Sequence, residues 1–232
     1  MNNQYIISIE GLKKHFLTSG GKFTALNGID LNIRKSEFTG IVGPSGSGKT
    51  TLLNIIGSLD SPSEGKAFVL GRSIGDLNVK QAALLRRSQL GFIFQSYNLL
   101  PVYTVFENVE FPLLLMNLTD LQRKKMVMDS LDWLGLSDKV KSKPAQLSGG
   151  ESQRVAIARA MVKKPQIILA DEPTANLDAS NSHNILKMMV RLNEEFGTTF
   201  IFATHDEKVI GYLKRKITLV DGKIATDETI RN

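Results

Sequence analysis

The first third of the chain alternates hydrophobic and polar positions in the way that half-buried strands do. Tyr5–Glu10 and Phe23–Ile33 both alternate, and a glycine-containing turn at 19–21 separates them. Because no helical period lies between the two segments, they predict antiparallel β structure near the amino end. A further turn at 61–65 precedes a short strand that we expect over Lys66–Leu70.

The remainder of the chain alternates short apolar runs with helical periods. Apolar runs that are followed by helices are typical of buried parallel strands. They lie at 38–42, 90–94, 167–170 and 199–203. Two shorter runs, 217–220 and 223–225, flank Asp221-Gly222, a dipeptide that favours a tight β-hairpin.

Helical periodicity separates the chain into a core and an insertion. The longer helical segments are 79–87, 105–109, 121–134, 152–162 and 179–195. The middle three follow one another without a strand, whereas strands and helices alternate on either side. We therefore predict one α/β domain over 1–232, with a core formed by 1–95 and 161–232 and a helical subdomain inserted at 96–160.

The composition is that of a globular protein without covalent cross-links. Hydrophobic residues make up 42% and charged residues 22%, and there is no cysteine, which excludes disulfides and thiolate metal sites. Met1–Gln4 does not open a secretory signal, and the apolar runs are too short to span a bilayer, so we expect any membrane role to come through a partner. The net charge of +6 is spread along the chain. This distribution favours an ordinary solvated surface. The alternatives are a surface that binds lipid headgroups and one that binds nucleic acid.

The strongest chemical signal is the stretch GPSGSGKT, which follows a predicted strand and opens a helix. It comprises Gly43, Pro44, Ser45, Gly46, Ser47, Gly48, Lys49 and Thr50. Its glycines let backbone N–H groups surround a phosphate, and the helix that follows presents its positive end. Lys49 supplies charge for the β- and γ-phosphates, and the Thr50 hydroxyl is a Mg²⁺ ligand in such loops. The alternative is a glycine-rich turn that happens to carry a lysine.

An acidic pair follows the predicted strand at 167–170. Sites in open parallel sheets form at the carboxyl ends of strands, so Asp171 and Glu172 are expected to face the phosphates held by Lys49. Asp171 would hold the magnesium through water, and Glu172 would polarise a water for attack on the γ-phosphate. The alternative is a solvated acidic loop.

A second phosphate-binding helix start is predicted at Ser148-Gly149-Gly150-Glu151. Glycines at a helix start expose N–H groups, which suits an anion, although this signal is weak by itself. Lys49 already accounts for one nucleotide in this chain. The simplest explanation is that this segment binds the nucleotide held by another subunit.

The motifs and their order resemble the nucleotide-binding subunit of an ATP-binding cassette (ABC) transporter over essentially the whole chain. The ordered set is GPSGSGKT, Gln95, LSGGE, ILADEP, NLD and His205. A finer set is similar to the LolD-, MacB- and FtsE-like group, which serves lipoprotein release, macrolide or peptide efflux, and cell division. This finer set is Gly91–Gln95, Asn98–Pro101, Glu107–Val109 and Pro112-Leu113.

The resemblance implies nucleotide contacts beyond those argued from the residues. Phe16 would stack on adenine, its alternative being a core position, and Thr51 would join the phosphate contacts. Gln95 would touch the metal and the attacking water, and its loop would report to the membrane partner. His205 would bond the γ-phosphate. The implied catalytic set is thus Glu172, His205, Gln95 and Lys49, and the implied metal set is Thr50, Gln95 and Asp171.

The resemblance also assigns the residues at a subunit interface. Ser148, Gly149, Gly150 and Glu151 would act on the ATP of the opposing subunit. Asp178 would lie at the dimer seam, and it is also a candidate N-cap for the helix that follows.

The fold that the resemblance implies is a P-loop ABC-type ATPase domain. It has a mixed central sheet in a RecA-like core, an N-terminal antiparallel β subdomain and the inserted helical subdomain. ATP and Mg²⁺ would bind within a head-to-tail homodimer that closes on ATP and reopens after hydrolysis. The expected partner is an integral membrane permease with a large extracytoplasmic domain, of the lipoprotein-release or macrolide/peptide-efflux type. The protein would lie in the cytoplasm, peripheral on the inner face of the cell membrane.

The alternative is a soluble ABC-type ATPase with a non-transport role in cell division or with nucleic acid. No long coiled coil separates the phosphate loop from LSGGE, and the chain has one phosphate loop. These features argue against the chromosome-structure and translation types, so no nucleic acid is expected.

Overall fold

The computed structural model describes residues 4–230, in which ten strands form two sheets. Met1–Asn3 and Arg231-Asn232, which the predicted domain includes, lie outside the described residues. The first sheet is antiparallel, in the order β2-β1-β4-β5. Its strands are β1 (Tyr5–Thr18), β2 (Gly21–Arg34), β4 (Glu64–Val69) and β5 (Arg72–Ser73).

The second sheet has six strands in the order β10-β9-β3-β8-β7-β6 and is mixed. All neighbouring pairs are parallel except β9 and β10, which form an antiparallel hairpin. The strands are β3 (Phe38–Val42), β6 (Leu90–Ile93), β7 (Ile167–Asp171), β8 (Thr199–Thr204), β9 (Arg215–Val220) and β10 (Lys223–Thr229). The strands β3, β7 and β8 are central, so their carboxyl ends meet at one edge.

Seven α-helices accompany the sheets in the described part of the chain. They are α1 (Lys49–Ile56), α2 (Val79–Gln89), α3 (Val105–Glu110), α4 (Asp120–Trp133), α5 (Gly149–Met161), α6 (Ala179–Phe196) and α7 (Glu207–Ile210). Within residues 4–230, none of the helices combines the length and the apolar character that crossing a bilayer requires.

The central strands β3, β7 and β8 of the second sheet are buried on both faces, which explains their nearly unbroken apolar runs. Phe200 and Phe202 pack into one core cluster with α3–α6, whereas Ile201 and Ala203 pack into a second cluster with α1 and the antiparallel sheet. The alternation follows from the period of two along a strand. The ring centroids of Phe38 and Phe202 lie 4.7 Å apart in the first cluster.

The predicted α/β fold with a mixed sheet and an antiparallel β part is confirmed. The hairpin is confirmed as well, with positive φ at both Asp221 (47°) and Gly222 (72°). The helix predicted at 179–195 is present as α6, which is capped at Gly197, where φ is 63° and the N–H donates to the Asn193 carbonyl.

Element boundaries differ from the prediction at two places near the candidate site. The strand predicted at 90–94 ends at Ile93, and in the loop that follows Tyr97 and Asn98 adopt left-handed backbone. The helix predicted from Ser152 begins at Gly149, because Ser148 caps it. The first strand is continuous from Tyr5 to Thr18. Its pairing with β2 shifts register between Ile9 and Leu12, where Gly11 has left-handed backbone.

Candidate functional site

The loop between β3 and α1 is built so that only glycine fits at its critical turn. Gly48 precedes α1 with a φ of 103°. A Cβ there would lie 2.6 Å from the Ala25 carbonyl oxygen and 2.8 Å from Leu26 Cδ2, on β2. The N–H of Gly222 in the β9–β10 turn donates to the Ser47 carbonyl at 3.1 Å. Both sheets therefore hold the loop at the N-terminus of α1.

The side chain of Lys49 is folded along the inside of this loop. Its ammonium donates to the carbonyl oxygens of Gly43 at 2.7 Å and Pro44 at 2.9 Å. The residue is only 7% exposed. A buried positive charge is thus held beside the backbone of the loop, which is the arrangement that suits a phosphate ligand.

Thr50 and Asp171 meet across the end of the central sheet. The Thr50 hydroxyl donates to Asp171 Oδ2 at 3.0 Å. Burial raises the pKa of Asp171, the Thr50 hydrogen bond opposes that shift, and the nearby Glu172 adds to it. A hydroxyl and a carboxylate oxygen on adjacent elements are hard ligands, so the pair fits Mg²⁺.

The carboxylate of Glu172 is fixed at both oxygens by the end of β8. Thr204 Oγ1 donates to Oε2 at 2.9 Å, and His205 Nδ1 lies 2.6 Å from Oε1. The backbone of Glu172 is left-handed, with a φ of 46°. A non-glycine residue held in this region at a strand end is typical of functional sites.

Gln95 begins the loop that follows β6 and is exposed. Its carbonyl accepts a hydrogen bond from Asn176 Nδ2 at 2.9 Å. The Tyr97 hydroxyl donates to the Asn176 carbonyl at 3.4 Å. The loop of Gln95 and the loop that follows Glu172 are therefore joined by side chains.

Phe16 lies on β1 as an exposed aromatic and not as a core residue. It is 39% exposed, and the Lys14 ammonium lies 5.1 Å from its ring centroid. Thr51, the other nucleotide contact expected from the resemblance, lies in the first turn of α1 and is half-buried.

The LSGGE segment forms the start of α5 and is held by its own side chains. The Glu151 N–H donates to Ser148 Oγ at 3.2 Å, and the Ser148 N–H donates to Glu151 Oε2 at 2.8 Å. Lys139 pairs with Glu151 at 3.2 Å. These contacts lower the pKa of Glu151, the Ser148 N–H most of all. Gly150 is buried, and a Cβ there would meet the Asn181 side chain at 2.8 Å.

Two groups of predicted residues are thus held by different parts of the fold. Helix α1 packs on β2, β4, β7 and β8, whereas α5 packs on α3, α4, α6 and β6. Lys49, Thr50, Asp171, Glu172 and His205 cluster at the strand ends. Ser148, Gly149, Gly150 and Glu151 begin a helix of the other group.

The predicted N-cap role of Asp178 is borne out by the geometry. Its carboxylate accepts from the Asn181 N–H at 2.9 Å and from Asn181 Nδ2 at 2.6 Å. The hydrogen bond from the Asn181 N–H contributes most to the lowered pKa of Asp178.

Two further residues that touch the site, Thr204 and Asn176, are not in the sequence prediction. A threonine that ends a buried strand directly before His205 was the available signal for the first of them.

Comparison with known proteins identifies the motif set. The family model described as ABC transporter matches residues 26–175. The lipoprotein-releasing system ATP-binding protein LolD of Bacteroides fragilis is 42% identical over 94% of this chain and 100% of its own length. The macrolide export ATP-binding/permease protein MacB of Bdellovibrio bacteriovorus is 42% identical over 97% of this chain, which spans 34% of that protein.

Solved structures give the same result for the fold. MJ0796 of Methanocaldococcus jannaschii, a dimeric ABC transporter cassette, superposes with a TM-score of 0.89 at 40% identity. The match covers 97% of this chain and 99% of that one. The same protein is known as a dimer in a post-hydrolysis state bound to ADP and Pi, again with a TM-score of 0.89.

Proposed function

The chain belongs to the ABC transporter family as one of its ATP-hydrolysing subunits, and we propose that it energises a separate membrane subunit of the lipoprotein-release or macrolide/peptide-efflux type. Membership of the family rests on the family model and on the relatives. The membrane role is supported by a surface groove lined by Phe94, Leu100 and Phe111, among others. In this role the protein lies in the cytoplasm, peripheral on the inner face of the cell membrane through its partner.

The arrangement at the strand ends supports a division of labour in hydrolysis. Lys49 and the backbone of the phosphate loop bind the β- and γ-phosphates of ATP, and Phe16 stacks on the adenine. Glu172 accepts a proton from the attacking water. Thr204 and His205 fix its two oxygens, which orients the carboxylate for that transfer. His205, mostly exposed, also bonds the γ-phosphate, and Gln95 orients the water.

Thr50 and Asp171 are the residues that would hold Mg²⁺, with Gln95 as a further oxygen ligand. Their hydroxyl and carboxylate oxygens already lie 3.0 Å apart. When bound, the ion neutralises charge on the transferring phosphoryl group. Asp171 would act through water, and the carboxylate charge that burial disfavours is then compensated.

A head-to-tail homodimer completes each site. Within one chain, α1 and α5 pack against different neighbours. A second copy related by a two-fold axis would present Ser148, Gly149, Gly150 and Glu151 to the nucleotide of the first. Glu151 contributes by holding the Ser148 backbone, and Asp178 lies at the seam. The dimeric cassettes known for MJ0796 support this assembly.

A groove between α5 and the segment after Gln95 is the observation that carries the membrane role. It has a volume of about 300 Å³ and is lined by Phe94, Leu100, Phe111, Pro112, Arg159 and Lys163, among others. Phe111 is 44% exposed, and Leu114 and Leu115 beside it are more exposed still. An exposed apolar surface with basic residues among its lining suits a cytoplasmic helix of a membrane protein.

The test is co-purification from detergent-solubilised membranes with the wild-type protein and with Phe111→Glu. We expect the wild type to retain an integral membrane subunit with a large extracytoplasmic domain. Phe111→Glu should lose at least about ten-fold of that subunit, because a carboxylate in an apolar contact costs more than 1.4 kcal/mol. Its basal ATPase activity should stay within about two-fold of the wild type.

The matched control is Leu121→Glu, which places the same charge at a residue that is 78% exposed on α4. This variant should retain the membrane subunit. Recovery of a soluble partner or of nucleic acid in place of a membrane subunit would refute the transport role and favour the non-transport alternative.

A further inference from the structure

Both loops that carry the proposed catalytic residues contain left-handed backbone at residues other than glycine. In the loop of Gln95, Tyr97 has a φ of 57° and Asn98 a φ of 49°. In the other loop, Glu172 itself has a φ of 46°. Such conformations persist only where neighbouring groups hold them in place. The groups that hold these loops are therefore part of the catalytic geometry.

One of these groups is Gln153, in the second turn of α5. Its side chain is fully buried, and Nε2 donates to the Pro173 carbonyl at 2.6 Å. Pro173 follows Glu172 directly. The other end of the amide, Oε1, is buried and makes no hydrogen bond within residues 4–230. A buried amide oxygen without a partner costs free energy, and the bond from Nε2 to the Pro173 carbonyl is the interaction that offsets this cost.

The second group is Arg159, two turns further along the same helix. Its Nη1 donates to the Asn98 carbonyl at 2.5 Å, and its Nη2 donates to the Tyr97 carbonyl at 2.6 Å. Burial lowers the pKa of this guanidinium, which nevertheless stays charged. Two donors of one planar group bind two consecutive carbonyls, so the left-handed pair is clamped.

We propose that Gln153 and Arg159 are positioning residues through which α5 sets the geometry of both catalytic loops. The inference rests on the proposed function, in which Glu172 and Gln95 act on ATP. Helix α5 begins at Ser148 and Gly149, the segment that binds the nucleotide of the opposing subunit. Binding at the N-terminus of α5 is thereby transmitted to the catalytic loops of its own chain. The two sites of the dimer are coupled through this helix.

The test compares Gln153→Met and Arg159→Lys with the wild type in steady-state ATP hydrolysis, nucleotide binding and thermal unfolding. Methionine keeps the length of the side chain without the donor, and lysine keeps the charge without the paired donors. We expect turnover to fall about ten-fold or more, as for a sub-ångström to ångström misplacement. Nucleotide affinity should stay within about two-fold, and the Hill coefficient for ATP should approach one.

The matched control is Ser152→Ala, a buried polar residue on the same helix, which should leave turnover and the Hill coefficient unchanged. Thermal stability of Gln153→Met should stay close to the wild type, because the substitution also removes the unpaired Oε1. Wild-type turnover and cooperativity in both variants would overturn the proposal. So would a parallel loss of stability and nucleotide affinity, since that is the signature of a merely structural role.

Failure of the underlying function gives a different pattern. In that case Glu172→Gln would hydrolyse ATP like the wild type, whatever the behaviour of the α5 variants. Measuring ATP hydrolysis by Glu172→Gln alongside the α5 variants therefore distinguishes failure of the proposed function from failure of the positioning role.

Discussion

Glu172→Gln should lower ATP turnover by about 10³-fold, within the range that loss of a general base produces. The amide is isosteric with the carboxylate, so the bond from Thr204 Oγ1, at 2.9 Å in the wild type, is retained through its oxygen. The amide nitrogen is not a proton acceptor. The variant should therefore keep the geometry of the site and lose only the proton acceptor that the proposed mechanism assigns to Glu172.

Hydrolysis and assembly should separate in this variant. ATP binding should be unaffected, and without hydrolysis the proposed closed dimer should not reopen. Size-exclusion chromatography with ATP and Mg²⁺ should show a stable dimer for Glu172→Gln and mostly monomer for the wild type. Glu228→Gln, an exposed residue on β10, is the control and should behave as the wild type. Near-normal turnover in Glu172→Gln would mean that another group is the base.

Lys49→Met should weaken ATP binding by about 100-fold, which corresponds to roughly 2.7 kcal/mol. The ammonium is buried and held by two carbonyls of the phosphate loop, so it faces any phosphate bound there. Methionine fills the same space without charge. The variant should lose ground-state ATP affinity as well as turnover. Titration with a fluorescent ATP analogue measures the loss of affinity directly.

The control for this variant is Lys125→Met, which removes the same charge from an exposed position on α4. Its affinity for the analogue should match that of the wild type. Thermal unfolding of both variants checks that the phosphate loop remains folded. ATP affinity of the wild-type order in Lys49→Met would exclude this lysine from the binding site.

Much of the site could be predicted because its signals are local. The phosphate loop is a contiguous stretch. Its position 48 requires glycine because the backbone there is left-handed and the Ala25 carbonyl oxygen leaves no space for a Cβ. Asp171 and Glu172 follow a wholly apolar run, and the hairpin at Asp221-Gly222 is specified by two residues. In each case, residue type and immediate context determine the conformation.

Other features depend on contacts between distant parts of the chain and had no local signal. The left-handed backbone of Tyr97 and Asn98 is held by Arg159, more than sixty positions away. Gln153 on an otherwise ordinary helix reaches Pro173 only because α5 packs beside that loop. The start of α5 at Gly149 is different, since the capping box of Ser148 and Glu151 is a local signal that hydrophobic periodicity alone does not detect.

The central feature of the proposed function is a shared site, in which the loop at 43–50 of one chain meets Ser148 of another. The chain has no cysteine. A pair introduced as Ser45→Cys and Ser148→Cys can therefore form a disulfide only between introduced thiols. Both positions are exposed. Chains that carry one of the two substitutions each, mixed in equal amounts, provide the control.

The decisive measurement is oxidative cross-linking of this pair in the Glu172→Gln background, followed on a non-reducing gel. A shared site should give a product of twice the chain mass that forms only with ATP and Mg²⁺, both in the double variant and in the mixture of single variants. A cross-link within one chain, with the mass unchanged, or a dimer that forms equally well without ATP would contradict it.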